Sequence, residues 1–158
     1  MRILFRKAQL EDAEALARVS ERAFHSDVHC GAPGLGGPPG YDSPEWQRKM
    51  MRLGQYYTIT ADSKVIGGII VFPQAPREYN LGRMFVHPDF QDRGIGTQAF
   101  DFLWKEYPLA KRWTLGTPAW NRRTRHFYRK VGFEEIGEDP HEGVLFERRI
   151  PVAAAKPE

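Results

Sequence analysis

Apolar residues recur along this chain at two spacings, and the switches between them divide it into elements. Ile3 to Ala8 reads as a short strand. From Leu10 to Phe24 the residues Ala13, Leu16, Ala17, Ser20 and Phe24 fall at helical spacing. Glu11, Asp12 and Glu14 occupy the first turn of that helix, where acidic groups suit the helix dipole. His29 to Gly40 then holds five glycines and three prolines, the composition of a loop. A loop of that length in a compact domain is usually functional or disordered. Ser43 is placed to cap a second helix with Pro44 at its first position.

Tyr56 to Pro73 reads as a hairpin turning at Ala61-Asp62-Ser63-Lys64, and Tyr79 to Val86 as a further strand ended by His87-Pro88. Tyr56 and Tyr57 are neighbours, so one is expected in the core and the other in solvent. Gly94 to Tyr107 carries Ile95, Ala99, Phe102 and Leu103 on one helical face and stops at Pro108. Trp113 to Thr117 is a strand, and Asn121 to Val131 a basic amphipathic helix ended by Gly132. Phe133 to Gly137 and Val144 to Ile150 close the chain around Asp139-Pro140-His141. The predicted order is β-α-α-β-β-β-α-β-α-β-β, a mixed α/β (α+β) sheet with helices on both faces.

Composition narrows the class. The chain has 158 residues, the size of one domain, expected over 1–150 with a frayed tail at 151–158. Hydrophobic residues make up 41% and charged residues 27%, which excludes a wholly disordered chain. Lys and Arg number 23 against 20 acidic residues, a formal charge of +3. That mild excess suits an anionic small ligand as well as nucleic acid. The single cysteine, Cys30, rules out an intramolecular disulfide and fits a reducing cytoplasm. Arg2, Arg6 and Lys7 leave no room for the apolar region of a signal peptide, and no segment is long enough to span a bilayer. A cytoplasmic protein with no membrane partner is expected.

The run Gln91-Asp92-Arg93-Gly94-Ile95-Gly96 lies between a strand and a helix. Two glycines there let the backbone turn tightly and bring its N–H groups, with those of the helix start, against an anion such as a diphosphate. Arg93 adds charge at the rim. A P-loop is excluded, because Gly96 is followed by Thr97-Gln98 rather than Lys-Ser/Thr. Gly94, Gly96 and Ala99 satisfy G-x-G-x-x-A, but residues 111–120 hold no acidic residue to bind a dinucleotide ribose.

The longer run LGRMFVHPDFQDRGIGTQAF resembles the acetyl-CoA-binding motif of the GNAT superfamily of N-acetyltransferases, with Gln91, Gly94 and Gly96 in its three fixed places. Downstream, NRRTRHFYRKVGFEEIG is similar to the family's second motif, filled by Asn121, Phe127, Tyr128, Gly132 and Phe133. The resemblance covers nearly the whole chain and implies a mostly antiparallel central sheet of about seven strands. It also implies acetyl-CoA as co-substrate. The backbone of Met84, Phe85 and Val86 would bond the pantetheine arm and supply an oxyanion donor. Gln91, Asp92, Arg93, Gly94, Ile95, Gly96 and Thr97 would wrap the pyrophosphate. Asn121 would contact the pantetheine, and an Asn here is equally a helix cap. Tyr128 would be general acid to the CoA thiolate, against the plainer role of an aromatic packed on the sheet.

The resemblance implies direct attack by a primary amine of a small metabolite, antibiotic, peptide or protein, in a ternary complex. Such an amine has pKa about 10.4, so at neutral pH only about one molecule in a thousand is uncharged. Some relatives take the proton with a Glu where this chain has Asn80, which cannot act as a base. Glu78, on the same strand face if no bulge intervenes, is the nearest substitute, and a solvated strand-edge carboxylate is the competing reading. Asn80 keeps open a non-catalytic CoA-binding regulatory or sensor protein on the same fold. His25, Asp27, His29 and Tyr41 are expected at the mouth of the acceptor cleft, where the family's variable helix–loop region shapes substrate choice. His25 and His29 with Cys30 fall short of the ligands zinc wants, so no metal is expected. Arg122, Arg123, Arg125, Arg129 and Lys130 read as a solvated face, since no nucleic-acid motif accompanies them. Homodimers are frequent in the family, and a homodimer stays open.

Overall fold

The computed structural model describes residues 1–151, so the frayed tail expected at 151–158 lies, past its first residue, outside the described residues. Chain order is β1 (Ile3–Lys7), α1 (Ala13–His25), α2 (Pro44–Leu53), β2 (Gln55–Ala61), β3 (Lys64–Ala75), β4 (Glu78–Val86), α3 (Ile95–Glu106), β5 (Arg112–Thr117), α4 (Arg122–Lys130), β6 (Glu134–Asp139) and β7 (Gly143–Arg149). The strands form one seven-stranded sheet in the order β1-β2-β3-β4-β5-β7-β6. Every pairing is antiparallel except β4 with β5. This is the mixed, mostly antiparallel α/β sheet expected from the sequence.

Local chemistry explains where the elements begin and turn. The first helix opens with a 3-10 turn at Leu10–Asp12. There the Asp12 carboxylate accepts from Arg6 at 2.8 and 3.0 Å, from the Gln9 amide at 2.9 Å and from the Thr58 hydroxyl at 3.3 Å. Arg6 holds this carboxyl below the usual Asp range. Asp62 and Ser63 adopt φ of 48° and 73°, the primed turn that matches strand twist and closes the β2–β3 hairpin. Ser43 caps α2 as predicted, its hydroxyl accepting from the Trp46 amide at 3.0 Å.

Apolar side chains form a core on each face of the sheet. On one face Ile95, Ala99, Phe100 and Leu103 of α3 pack on Tyr57, Ile59, Ile69, Leu81 and Trp113. On the other, Leu16, Val19 and Ala23 of α1 and Met50 of α2 pack on Tyr56, Ile70 and Phe85. Full burial of each such side chain is worth about 1.5–3 kcal/mol. Helices cover both faces here, so Tyr56 and Tyr57 are both buried, at 1% and 4% exposure. The expectation that one would face solvent fails for that reason.

Between α1 and α2 the chain makes a 3-10 turn over Ser26–Cys30 and then the Gly/Pro loop. Gln47, fully buried, accepts from the Tyr56 hydroxyl at 2.5 Å and donates to the Gly40 carbonyl at 3.3 Å, tying that loop to the sheet. Gly40 sits at φ 76°, and a Cβ there would fall 2.1 Å from the Trp46 ring. Only glycine fits both the backbone conformation and the space.

Candidate active site

The site originates in a failure of strand pairing. β4 and β5 pair in parallel only through Glu78–Arg112, Tyr79–Trp113 and Asn80–Thr114. Beyond Asn80 the two strands part. One cause lies in β4 itself: Ile70 pairs with Arg83 but Val71 with Leu81, so Gly82 is an extra residue that bends the strand. The wedge leaves backbone groups of β4 with no strand partner on the β5 side, which must be met by something else. It opens into a cavity of about 960 Å³. The β4 residues Leu81 to Val86 form one wall and Leu115 to Pro118 the other.

One end of this cavity is the start of α3. Asp92 and Gly94 both have positive φ, 60° and 78°, which turns the chain sharply into the helix. The first bond of the turn runs from Gln98 N–H to Gly94 O at 3.1 Å, leaving the amides of Ile95, Gly96 and Thr97 outside the helical ladder. Those residues line the cavity, and a Cβ on Gly94 would meet nothing within 4 Å. This is an open, electropositive nest of N–H groups. Gly96 is required for a different reason, since a Cβ there would stand 2.8 Å from the Phe127 ring.

The motif side chains divide into tethers and wall. Gln91 donates from Nε2 to the Val86 carbonyl at 2.9 Å and accepts from Arg123, so it ties the end of β4 to α4. Asn121 caps α4, its Oδ1 accepting from the Thr124 amide at 3.1 Å while the residue lines the cavity. Met84, Phe85, Val86 and Asp92 also line it, and Asp92 pairs with Arg123 at 3.4 Å. Arg93 does not: its guanidinium lies over the Phe90 ring, 5.5 Å from the centroid.

Tyr128 reaches the cavity from α4, its ring packed among Phe100, Phe133 and Phe146. Burial, with a smaller contribution from the nearby Asp27 charge, pushes its phenol up to about 12. Asp27 comes from the 3-10 turn after α1 and lines the same cavity. Burial pushes its carboxyl up to about 6 against the opposing pull of Arg123. The structure therefore brings Tyr128 and Asp27, far apart in sequence, into one electrostatic neighbourhood.

Other expected residues lie elsewhere. Glu78 stands at the paired end of β4, outside the cavity lining, with Lys111 at 3.7 Å and Arg112 at 3.5 Å. It is held there as a strand-edge carboxylate in an ion pair, away from the residues that line the wedge. Asn80 donates to the Thr114 hydroxyl at 3.0 Å and closes the last β4–β5 pair. His25 Nε2 meets the Tyr41 hydroxyl at 2.8 Å, a contact that pins the Gly/Pro loop to α1. His29 is exposed. None of these five, Tyr41 included, lines the cavity. Among the described residues no three His, Cys, Asp or Glu gather closely enough to hold a metal, and no helix is long and apolar enough to cross a membrane.

Sequence reading missed Arg83, which lines the cavity from the middle of β4. Its signal was available: two-residue alternation places it in phase with the buried Phe85, an unusual setting for an unpaired arginine.

Comparison with known proteins follows the same lines. Residues 52–135, a little over half of the chain, match the acetyltransferase (GNAT) domain. A Bacillus subtilis (strain 168) protein, the uncharacterized YrkN, is 33% identical over 82 residues, which span 51% of this chain and 44% of that protein. The matched stretch thus covers less than half of that relative. The fold is similar to PaiA N-acetyltransferase from Thermoplasma acidophilum, solved in complex with coenzyme A, at TM-score 0.82 and 22% identity over 95% of this chain and 100% of that one. It is also similar to the ribosomal-protein-S18-alanine N-acetyltransferase of Escherichia coli, at TM-score 0.72 and 16% identity over 94% of each chain.

Proposed function

Because the chain belongs to the GNAT acetyltransferase family, we propose that it transfers the acetyl group of acetyl-CoA directly to a primary amine, both held together in the β4–β5 wedge. The observation that carries this reading is the wedge itself, with unpaired β4 backbone on one side and the uncapped amides of α3 at its end. The open space at Gly94 admits a pyrophosphate close to the backbone. Acetyl-CoA supplies the activated acyl group, so the protein's work is positioning, proton management and charge stabilisation.

Each residue has a defined task. The amides of Ile95, Gly96 and Thr97 hold the pyrophosphate, with Arg123 and Lys130 of α4 near enough along the cavity to add positive charge. The free backbone of Met84 to Val86 takes the place of a strand partner for the pantetheine amides. One N–H there faces the thioester oxygen and stabilises the oxyanion as the amine attacks. Asn121 offers its amide nitrogen to the pantetheine while its oxygen caps α4.

Asp27 receives the proton of the attacking ammonium. A carboxylate at about 6 is a better base than one near 3.8 by about 3 kcal/mol, and burial provides that gain. Tyr128 donates to the sulfur as the C–S bond breaks, and the second proton of the attacking nitrogen, shed as the amide forms, restores the phenol; CoA leaves as thiol and Asp27 holds the one proton the reaction releases.

The test is a calorimetric titration with acetyl-CoA, NADH serving as control, followed by thiol release with a panel of amines. Saturable binding of acetyl-CoA alone, then amine-dependent thiol release, is the expected result. Binding without release for any amine supports a CoA-binding sensor on this fold instead, and absence of acetyl-CoA binding ends the transferase reading.

A further inference from the structure

Arg83 projects from the centre of β4 onto the face covered by α1 and α2, and its surroundings are unusual for a guanidinium. Its central carbon lies over the Trp46 ring, 4.1 Å from the centroid, and 5.9 Å from the centroid of Phe24. One nitrogen donates to the Pro39 carbonyl at 3.2 Å. The other terminal nitrogen is buried and has no partner. No carboxylate lies within ion-pair distance of it among the described residues. Burial without a counter-ion lowers the group to about 10, so it still carries its charge at neutral pH.

Other parts of this setting are stabilising: the cation over an aromatic ring and its place on a paired strand. What is missing is an anion. Breaking a buried pair by leaving one charge alone costs several kcal/mol, so a lone buried guanidinium is a poor structural element. A guanidinium held over an aromatic ring is, however, a well-preorganised partner for a carboxylate, which it binds through two parallel hydrogen bonds. The element over it is the Gly/Pro loop, whose Pro38 and Pro39 line the same cavity, so a ligand carboxylate would take the place of the Pro39 carbonyl. Asp27, which faces the amine in the proposed reaction, lines that cavity too.

We propose that the acetyl acceptor is an amine that also carries a carboxylate, with Arg83 as the carboxylate anchor and Asp27 as the partner of the ammonium. The inference rests on the transferase reading above and names its substrate class. A purely cationic polyamine would place its second charge against Arg83 and is disfavoured.

The experiment measures thiol release from acetyl-CoA with the protein amino acids, β-alanine and 4-aminobutyrate, each set against its own carboxamide, with spermidine as a polycationic control. For the accepted compounds the acid is expected to exceed its amide in kcat/KM by roughly 10- to 100-fold, the worth of hydrogen bonds to a charged group. Arg83→Gln is expected to erase that ratio while acetyl-CoA binding persists, and Arg83→Lys to retain part of it. The acid-to-amide ratio is insensitive to general loss of fold, which lowers both rates together. An amide or spermidine accepted as well as any acid overturns the proposal and leaves the transferase reading standing. A protein that binds acetyl-CoA yet releases thiol with none of the panel also overturns it, and the wider amine panel then decides between transferase and sensor. Failure to bind acetyl-CoA removes both.

Discussion

Replacing Tyr128 by Phe deletes one oxygen and keeps the ring among Phe100, Phe133 and Phe146, whose centroids lie 6.2, 6.1 and 5.9 Å away. Packing is preserved, so the melting temperature should hold. The rate effect follows from the environment of the hydroxyl. Its phenol is raised to about 12, and a thiol has pKa about 8.5. Complete proton transfer is therefore uphill by about 5 kcal/mol, and most of the benefit comes from the hydrogen bond to sulfur as its charge develops. A hydrogen bond to a charged group is worth about 1.5–3 kcal/mol, or roughly 10- to 150-fold in rate. That places the expected loss near the bottom of the range for general acid catalysis, about 10²- to 10⁴-fold. Single-turnover thiol release by stopped flow isolates the chemical step, and acetyl-CoA affinity should be unchanged. An unaltered single-turnover rate would show that Tyr128 is only a packed aromatic.

Three further perturbations probe the site. Asp27→Asn should lower kcat/KM and abolish an acidic limb of its pH profile near 6, measured with an acceptor that does not titrate there. Because folding raises this carboxyl from 3.8 to about 6, the native state binds more protons between those values and loses stability as pH rises through them. Asp27→Asn should consequently melt higher than wild type at pH 7.5, by up to about 3 kcal/mol of stability, with the gap narrowing toward pH 4; a constant gap refutes the burial argument. Gly96→Ala drives a methyl against Phe127 at 2.8 Å, and should cost about 1–3 kcal/mol in denaturant unfolding as well as weaken acetyl-CoA binding. Glu78→Gln should leave turnover and its pH profile intact and shift stability by less than about 1 kcal/mol, since it only removes an edge ion pair with Lys111 and Arg112. A large loss of turnover there would return Glu78 to the chemistry.

Much of this protein could be read from local signals alone. Strand and helix periods, the Ser43 cap and the Asp62-Ser63 turn depend on residues close in sequence, and all appear where the pattern places them. Gly94 at the α3 entry is of the same kind, because the backbone there must adopt positive φ whatever surrounds it, whereas Gly96 answers to the Phe127 ring brought from α4. The roles of single polar side chains depend instead on groups brought from afar. Asn80 and Glu78 share a strand face as read, yet the short β4–β5 pairing spends one on Thr114 and the other on Lys111 and Arg112. His25 and Tyr41, expected at the cleft, satisfy one another. Asp27 becomes a raised carboxylate only because the fold buries it in the cavity, against the pull of Arg123, and Arg83 becomes a lone cation only because Trp46 and Pro39 close over it. Periodicity and turn chemistry thus settled the elements, being short-range properties of the chain, while the family was legible through the resemblance of two motifs. Burial and charge pairing are long-range, so tertiary structure decided which polar residues serve the cleft.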